Sequence, residues 1–119
     1  MSEKITVFEK PTCTTCRNLA ELLKENGIGY EKVKYYIDPL SEEKLRELLG
    51  KANLKAFDIL RKKEPLVKEL NITENTSPDE IIKLILENPN LLQRPIVEFG
   101  GKAVLARPIE NALELIRNE

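Results

Sequence analysis

Cys13-Thr14-Thr15-Cys16 stands between a short apolar run, Ile5-Thr6-Val7-Phe8, and the start of a helical pattern. No other feature constrains the chain as much. These two cysteines are all it has, and it contains no histidine. A strand, a tight loop and a helix opening on C-x-x-C form a layout suited to thiol redox chemistry. Backbone N–H groups and the dipole at a helix N-terminus stabilise a thiolate there, and a free thiol with a pKa of ~8.5 can fall to about 3.5–7.5 in such a place. Two plainer readings stay beside this one. The pair could be ordinary core cysteines, or could bind zinc. A zinc site needs about four ligands, usually Cys or His, so the cysteines would have to be pooled across a symmetric dimer.

Composition narrows the chemistry further. The 119 residues fit one domain, read here as 1–119. Apolar residues make up 41% and charged residues 33%, and the formal net charge is −1. No global field therefore draws the chain to nucleic acid or to an anionic membrane. No apolar run approaches the ~20 residues of a membrane span, and no signal-peptide core follows Met1-Ser2-Glu3-Lys4. The expected location is the cytoplasm, where a C-x-x-C pair serves catalysis or sensing more often than stapling. Without histidine, Cys–His and Ser–His dyads are excluded. Cysteine, carboxylates, lysine, arginine and backbone dipoles remain.

Ile5–Phe8 reads as a buried strand. The spacing of Cys16, Leu19, Ala20 and Leu23 predicts a helix over Thr14–Asn26, stopped by Gly27. That helix leaves Cys13 at an exposed tip and turns Cys16 toward the core. Tyr30–Ile37 reads as a second strand, parallel to the first because a helix connects them. Ser41–Gly50 is helical, with shorter helical pieces at 55–61 and 65–70. Ser77-Pro78-Asp79-Glu80 is a capping box opening a helix that runs to Glu87 and ends at Asn88-Pro89. Ile96–Phe99 and Lys102–Ala106 form a hairpin over Gly100-Gly101. A last helix starts at Pro108 and carries Ile109, Ala112, Leu113 and Ile116 on one face. The order β-α-β, a helical insertion at about 41–88, then β-β-α describes an α/β, thioredoxin-like fold with a mixed central sheet.

With Gly100 and Gly101 as the two loop residues, Phe99 faces Lys102. Carried down the ladder, the same register sets Arg94 opposite Arg107. Each arginine precedes a proline, Pro95 or Pro108, which restricts its backbone and ends the ladder. Like charges set directly opposite destabilise a strand pair, so an anion between them would give the arrangement a reason. This end of the hairpin should lie beside Cys13. Guanidinium forks hold two oxygens at once, and the residues thus predict an oxyanion pocket next to an activated thiolate. The simpler alternative is a frayed hairpin end whose arginines splay into water. Arg61, in Leu60-Arg61-Lys62-Lys63-Glu64, is a further candidate, although a basic run on a helical cap is most often a solvated face.

The segments Lys10-Pro11-Thr12-Cys13-Thr14-Thr15-Cys16-Arg17-Asn18, Leu60-Arg61-Lys62-Lys63-Glu64, Leu92-Gln93-Arg94-Pro95-Ile96-Val97 and Ala106-Arg107-Pro108-Ile109-Glu110 resemble the glutaredoxin-coupled arsenate reductases and their Spx-type relatives. The resemblance covers nearly the whole chain. It implies that Cys13 attacks arsenate, that Arg61, Arg94 and Arg107 hold the oxyanion, and that the Arg94-Pro95 bond is cis. It also implies no bound cofactor or metal, with glutathione and glutaredoxin, or thioredoxin, as electron donor.

Two departures stand out. Such reductases carry serine where this chain has Cys16, and His-Asn where it has Glu9-Lys10. A glutamate beside an oxyanion pocket needs Lys10 or an arginine to neutralise it. The C-x-x-C form is similar to Spx regulators, which switch between dithiol and disulfide and bind the RNA polymerase α subunit. Arg107-Pro108 is similar to the reductases. Three functions follow: an arsenate reductase in which Cys16 resolves the reaction, a redox-sensing regulator, and a general thiol–disulfide oxidoreductase whose arginines serve a glutathione carboxylate.

Overall fold

Alternation along the first strand sets the layers. In the computed structural model, which describes residues 4–10, 12–35 and 37–117, β1 (Ile5–Glu9) turns Ile5 and Val7 to one face and Phe8 to the other. Ile5 and Val7 pack under α1 (Thr14–Glu25), whose stripe of Cys16, Leu19 and Leu23 is buried, and near α5 (Glu110–Arg117) through Ala112. Phe8 faces the helical insertion.

The sheet is mixed, in the order β2-β1-β3-β4. β2 (Glu31–Lys34) runs parallel to β1, with Val33 opposite Phe8. β3 (Ile96–Phe99) runs antiparallel to β1, with Val97 opposite Val7, and pairs with β4 (Lys102–Leu105) in the expected register, Phe99 opposite Lys102. The thioredoxin-like order is therefore present. Among the described residues no helix is long and apolar enough to cross a membrane.

The insertion comprises α2 (Glu42–Ala52), a 3-10 turn at Ala56–Ile59, α3 (Pro65–Glu69), α4 (Pro78–Glu87) and a second 3-10 turn at Pro89–Leu91. Leu45, Leu48, Ile59, Leu60, Ile81 and Leu92 are almost completely buried beneath it, each stabilising the fold by about 1.5–3 kcal/mol. Ser41 and Ser77 cap α2 and α4, accepting from the amides of Lys44 and Glu80 at 3.0 and 3.2 Å.

Several boundaries differ from the sequence reading. β2 ends at Lys34, because the amides of Ile37 and Asp38 both turn back to the Lys34 carbonyl at 2.9 Å; Tyr36 lies outside the described residues. α2 continues through Gly50 and stops at Asn53, which takes the left-handed conformation (φ 56°, ψ 43°) that asparagine tolerates. The Asn53 and Leu54 amides then close on Gly50 and Leu49. α5 begins at Glu110 rather than Pro108. The first 3-10 turn is shorter than the helical piece expected over 55–61, and the turn after Pro89 has no counterpart in the apolar pattern.

Candidate active site

Cys13 closes the loop after β1 and is the N-cap of α1, with extended backbone (φ −83°, ψ 121°). Its amide bonds the Lys10 carbonyl at 3.0 Å, and its Sγ accepts the Cys16 amide at 3.4 Å. The first turn of α1 carries no acidic side chain, so the positive end of the helix is left to the sulfur. The expectation of an exposed tip is corrected: Cys13 is only 8% exposed. Capping geometry folds the side chain back over the helix, and residues distant in sequence cover it. Cys16 is 1% exposed and faces the core as expected. Both are free thiols.

Arg94, at the entry to β3, is buried (5% exposed). Burial alone would push the Cys13 thiol up. The backbone and side chain of Cys16, and the hydrogen bond and charge of Arg94, outweigh that and hold it below its ordinary value. Cys16 goes the other way. Burial raises it to about 12, and Cys13 and Glu9 add to the rise against a hydrogen bond from the Lys10 backbone. Two thiols one helical turn apart are thus poised for different parts, one to ionise and one to keep its proton.

Tyr35, the first residue past β2, is buried at the same place. Burial lifts its phenol to about 12, against the opposing pull of the nearby Arg94 guanidinium. The sequence pattern marks it only as a strand residue. The available signal was its position at the sheet end that also carries the loop of Cys13.

The hairpin ladder ends at Ile96 opposite Leu105, and beyond it Arg94 and Arg107 meet side chain to backbone. Arg107 is exposed and its Nε donates to the Arg94 carbonyl at 2.7 Å, while Ala106 extends the ladder to Pro95 at 2.9 Å. Both Arg94-Pro95 and Arg107-Pro108 are cis; the second was not foreseen. The Nε and Nη1 atoms of Arg94 are buried without a hydrogen-bond partner among the described residues. A buried guanidinium in that state is costly unless something else satisfies it, and its neighbourhood is a thiol inclined to be an anion.

Arg61 is half-buried. Its amide bonds the Leu91 carbonyl, a bridge joins Leu60 to Leu92, and its Nε lies 3.7 Å from Glu64. The bridge ties the arginine's loop to the segment leading into Arg94. The structure thus brings Cys13, Cys16, Arg94 and Tyr35 together, holds Arg107 against the backbone of Arg94, and turns Arg61 toward Glu64. Lys10, through Nζ, bonds Asn90 at 2.9 Å.

A family model described as the ArsC family matches residues 8–115. The chain belongs to the ArsC family. Within it, a Neisseria meningitidis serogroup B protein named arsenate reductase is 38% identical over 110 residues, covering 91% of this chain and 94% of the relative. A Bacillus cereus protein named global transcriptional regulator Spx 1 is 31% identical over 94 residues, or 78% of this chain and 72% of that protein. The structure of arsenate reductase from Vibrio cholerae superposes with a TM-score of 0.89 at 33% identity, covering 96% of this chain and 98% of the other. ArsC-family membership thus extends across the sheet and the insertion alike.

Proposed function

We propose that this chain reduces arsenate to arsenite by thiol chemistry at Cys13. The observation that carries the reading is the buried Arg94 guanidinium, with Nε and Nη1 unpartnered among the described residues, beside a thiol held below its ordinary pKa. The Cys13 thiolate attacks arsenic and an arsenate oxygen leaves as water, forming a sulfur–arsenic(V) bond. Arg94, the amides opening α1, and Arg107 and Arg61 from its flanks hold the remaining oxygens as charge shifts onto them. The thiol of Cys16 then attacks the Cys13 sulfur. A disulfide forms, the sulfur–arsenic bond breaks with its electron pair kept by arsenic, and arsenite departs. Glutaredoxin with glutathione, or thioredoxin, returns the disulfide to two thiols. No bound cofactor or metal is needed, and the reaction fits a cytoplasmic enzyme.

The test is turnover. Purified protein with arsenate, glutathione, glutaredoxin and NADPH should consume NADPH only when arsenate is added, and Cys13→Ser should not. Arg94→Ala should lower kcat/KM by about 10²–10³, as loss of one oxyanion donor does. Absence of arsenate-dependent turnover with either glutaredoxin or thioredoxin overturns the proposal. Reduction of mixed disulfides without arsenate would then favour a general thiol–disulfide oxidoreductase.

A second reading rests on the pairing of two unequal, free thiols in C-x-x-C and on the Spx-named relative. Here the dithiol and disulfide states differ in affinity for the RNA polymerase α subunit. Capture of that subunit by the immobilised protein in one redox state only would support it, and equal or absent capture in both would exclude it.

A further inference from the structure

Glu9 is a buried acid that the reaction above does not use. It is 7% exposed, and its Oε1 has no hydrogen-bond partner among the described residues. Among the described residues, the other buried carboxylate differs. Glu98 is bound by Lys44 and Lys51 at 2.8 and 2.6 Å.

Two rows converge on Glu9. β1 alternates, so Glu9 lies on the face of Ile5 and Val7, and those residues pack in one cluster with Leu19 and Leu23 of α1. On α1 the stripe Cys16, Leu19, Leu23 forms one row. β1 ends at Glu9 and α1 starts after the intervening loop, so the rows run in opposite directions through the shared layer. One step beyond Val7 on the strand is Glu9, and one turn before Leu19 on the helix is Cys16. The two rows come close at this end, where the Lys10 backbone, next after Glu9, and the Glu9 charge both act on the Cys16 thiol.

We propose that the Glu9 carboxylate accepts the proton of Cys16 as Cys16 attacks the sulfur of Cys13. The proposal rests on Cys16 acting as the second thiol. In the step the Cys16 S–H bond breaks and its proton moves to Glu9. Cys16 Sγ bonds to Cys13 Sγ, and the group carried by Cys13 leaves with the electron pair of the broken bond. The two cysteines are oxidised to a disulfide and the leaving group is reduced.

Charge gives the reason. Loss of the Cys16 proton to water would leave a thiolate and a carboxylate in the same buried layer. Transfer between them moves one negative charge and creates none. The same carboxylate opposes ionisation of Cys16 at rest, which keeps the second thiol protonated until its partner sulfur is loaded. Glu9 thus serves the C-x-x-C form of the site, and an enzyme that takes its second thiol from outside has no use for it at this position.

Reaction with 5,5′-dithiobis(2-nitrobenzoate) separates the step from arsenate. The first release of thionitrobenzoate reports attack by Cys13, and the second reports attack by Cys16 on the mixed disulfide. Glu9→Gln should leave the first phase within about twofold of native. It should slow the second by about 10²-fold, the lower end of general-base effects. Glu9→Asp, which keeps a carboxylate, should fall between, and thermal melts should show both variants folded. A second phase equally fast in Glu9→Gln, or both phases slowed alike, overturns the role of Glu9. A native protein with no second phase, or a second phase that survives Cys16→Ser, overturns Cys16 as the second thiol and this inference with it.

Discussion

Cys13 and Cys16 sit one helical turn apart, yet their sulfurs meet different surroundings. Cys13 is offered N–H groups and a guanidinium; Cys16 is offered burial and two negative neighbours. This difference has a measurable effect on stability. An unfolded Cys16 ionises near 9.0, and the folded one near about 12. Between those values the folded chain holds a proton that the unfolded chain has released. Stability present below 9.0 is therefore lost as pH rises through the window. Tyr35, raised from 10.0 to about 12, acts with the same sign. Thermal melts from pH 9 to 12 should show a steep decline that Cys16→Ala makes shallower; equal slopes would contradict the assignment. The inward turn of Cys16 was legible from helical spacing. The burial of Cys13 was not, because Arg94 and Tyr35, which gather around it, come from other strands and no periodicity records them.

At the scale of elements, the sequence was most informative where side chains act on their own backbone. Ser77 caps α4 as its position predicts, and Gly100-Gly101 sets the hairpin register. Ser77→Ala should lower unfolding free energy by about 1 kcal/mol in urea titrations, the usual worth of such a cap. Asn53→Ala should cost about 1–2 kcal/mol for its left-handed backbone while Asn53→Gly is tolerated; equal effects would show that the conformation is not what ends α2. Gly50 misled because a glycine within a helix and one that stops it look alike in sequence. The decision lay with Asn53, where Schellman-type bonds close. β2 was read too long because Tyr35 and Tyr36 suit a strand, whereas the Lys34 carbonyl draws the chain into a turn.

Across the whole molecule, the site is assembled from ends that the topology brings together. Cys13 follows β1, Tyr35 follows β2, and Arg94 precedes β3, which is antiparallel to β1, so all three meet at one edge of the sheet. The insertion joins that edge through the bridge between Leu60 and Leu92. Hairpin register alone foretold that Arg94 and Arg107 come together, as the bond from Arg107 Nε to the Arg94 carbonyl shows. Which of the two would be buried could not be read, since that depends on the layer closing over β3. With the amide and side chain of Cys16, Arg94 helps hold the Cys13 thiol below its ordinary value. The pH dependence of Cys13 alkylation by iodoacetamide, followed by mass spectrometry in the native protein and in Arg94→Gln, tests it most directly. The native midpoint should lie below the ordinary thiol value of 9.0, with a clear upward displacement in the variant. Coincident profiles would contradict this role of Arg94.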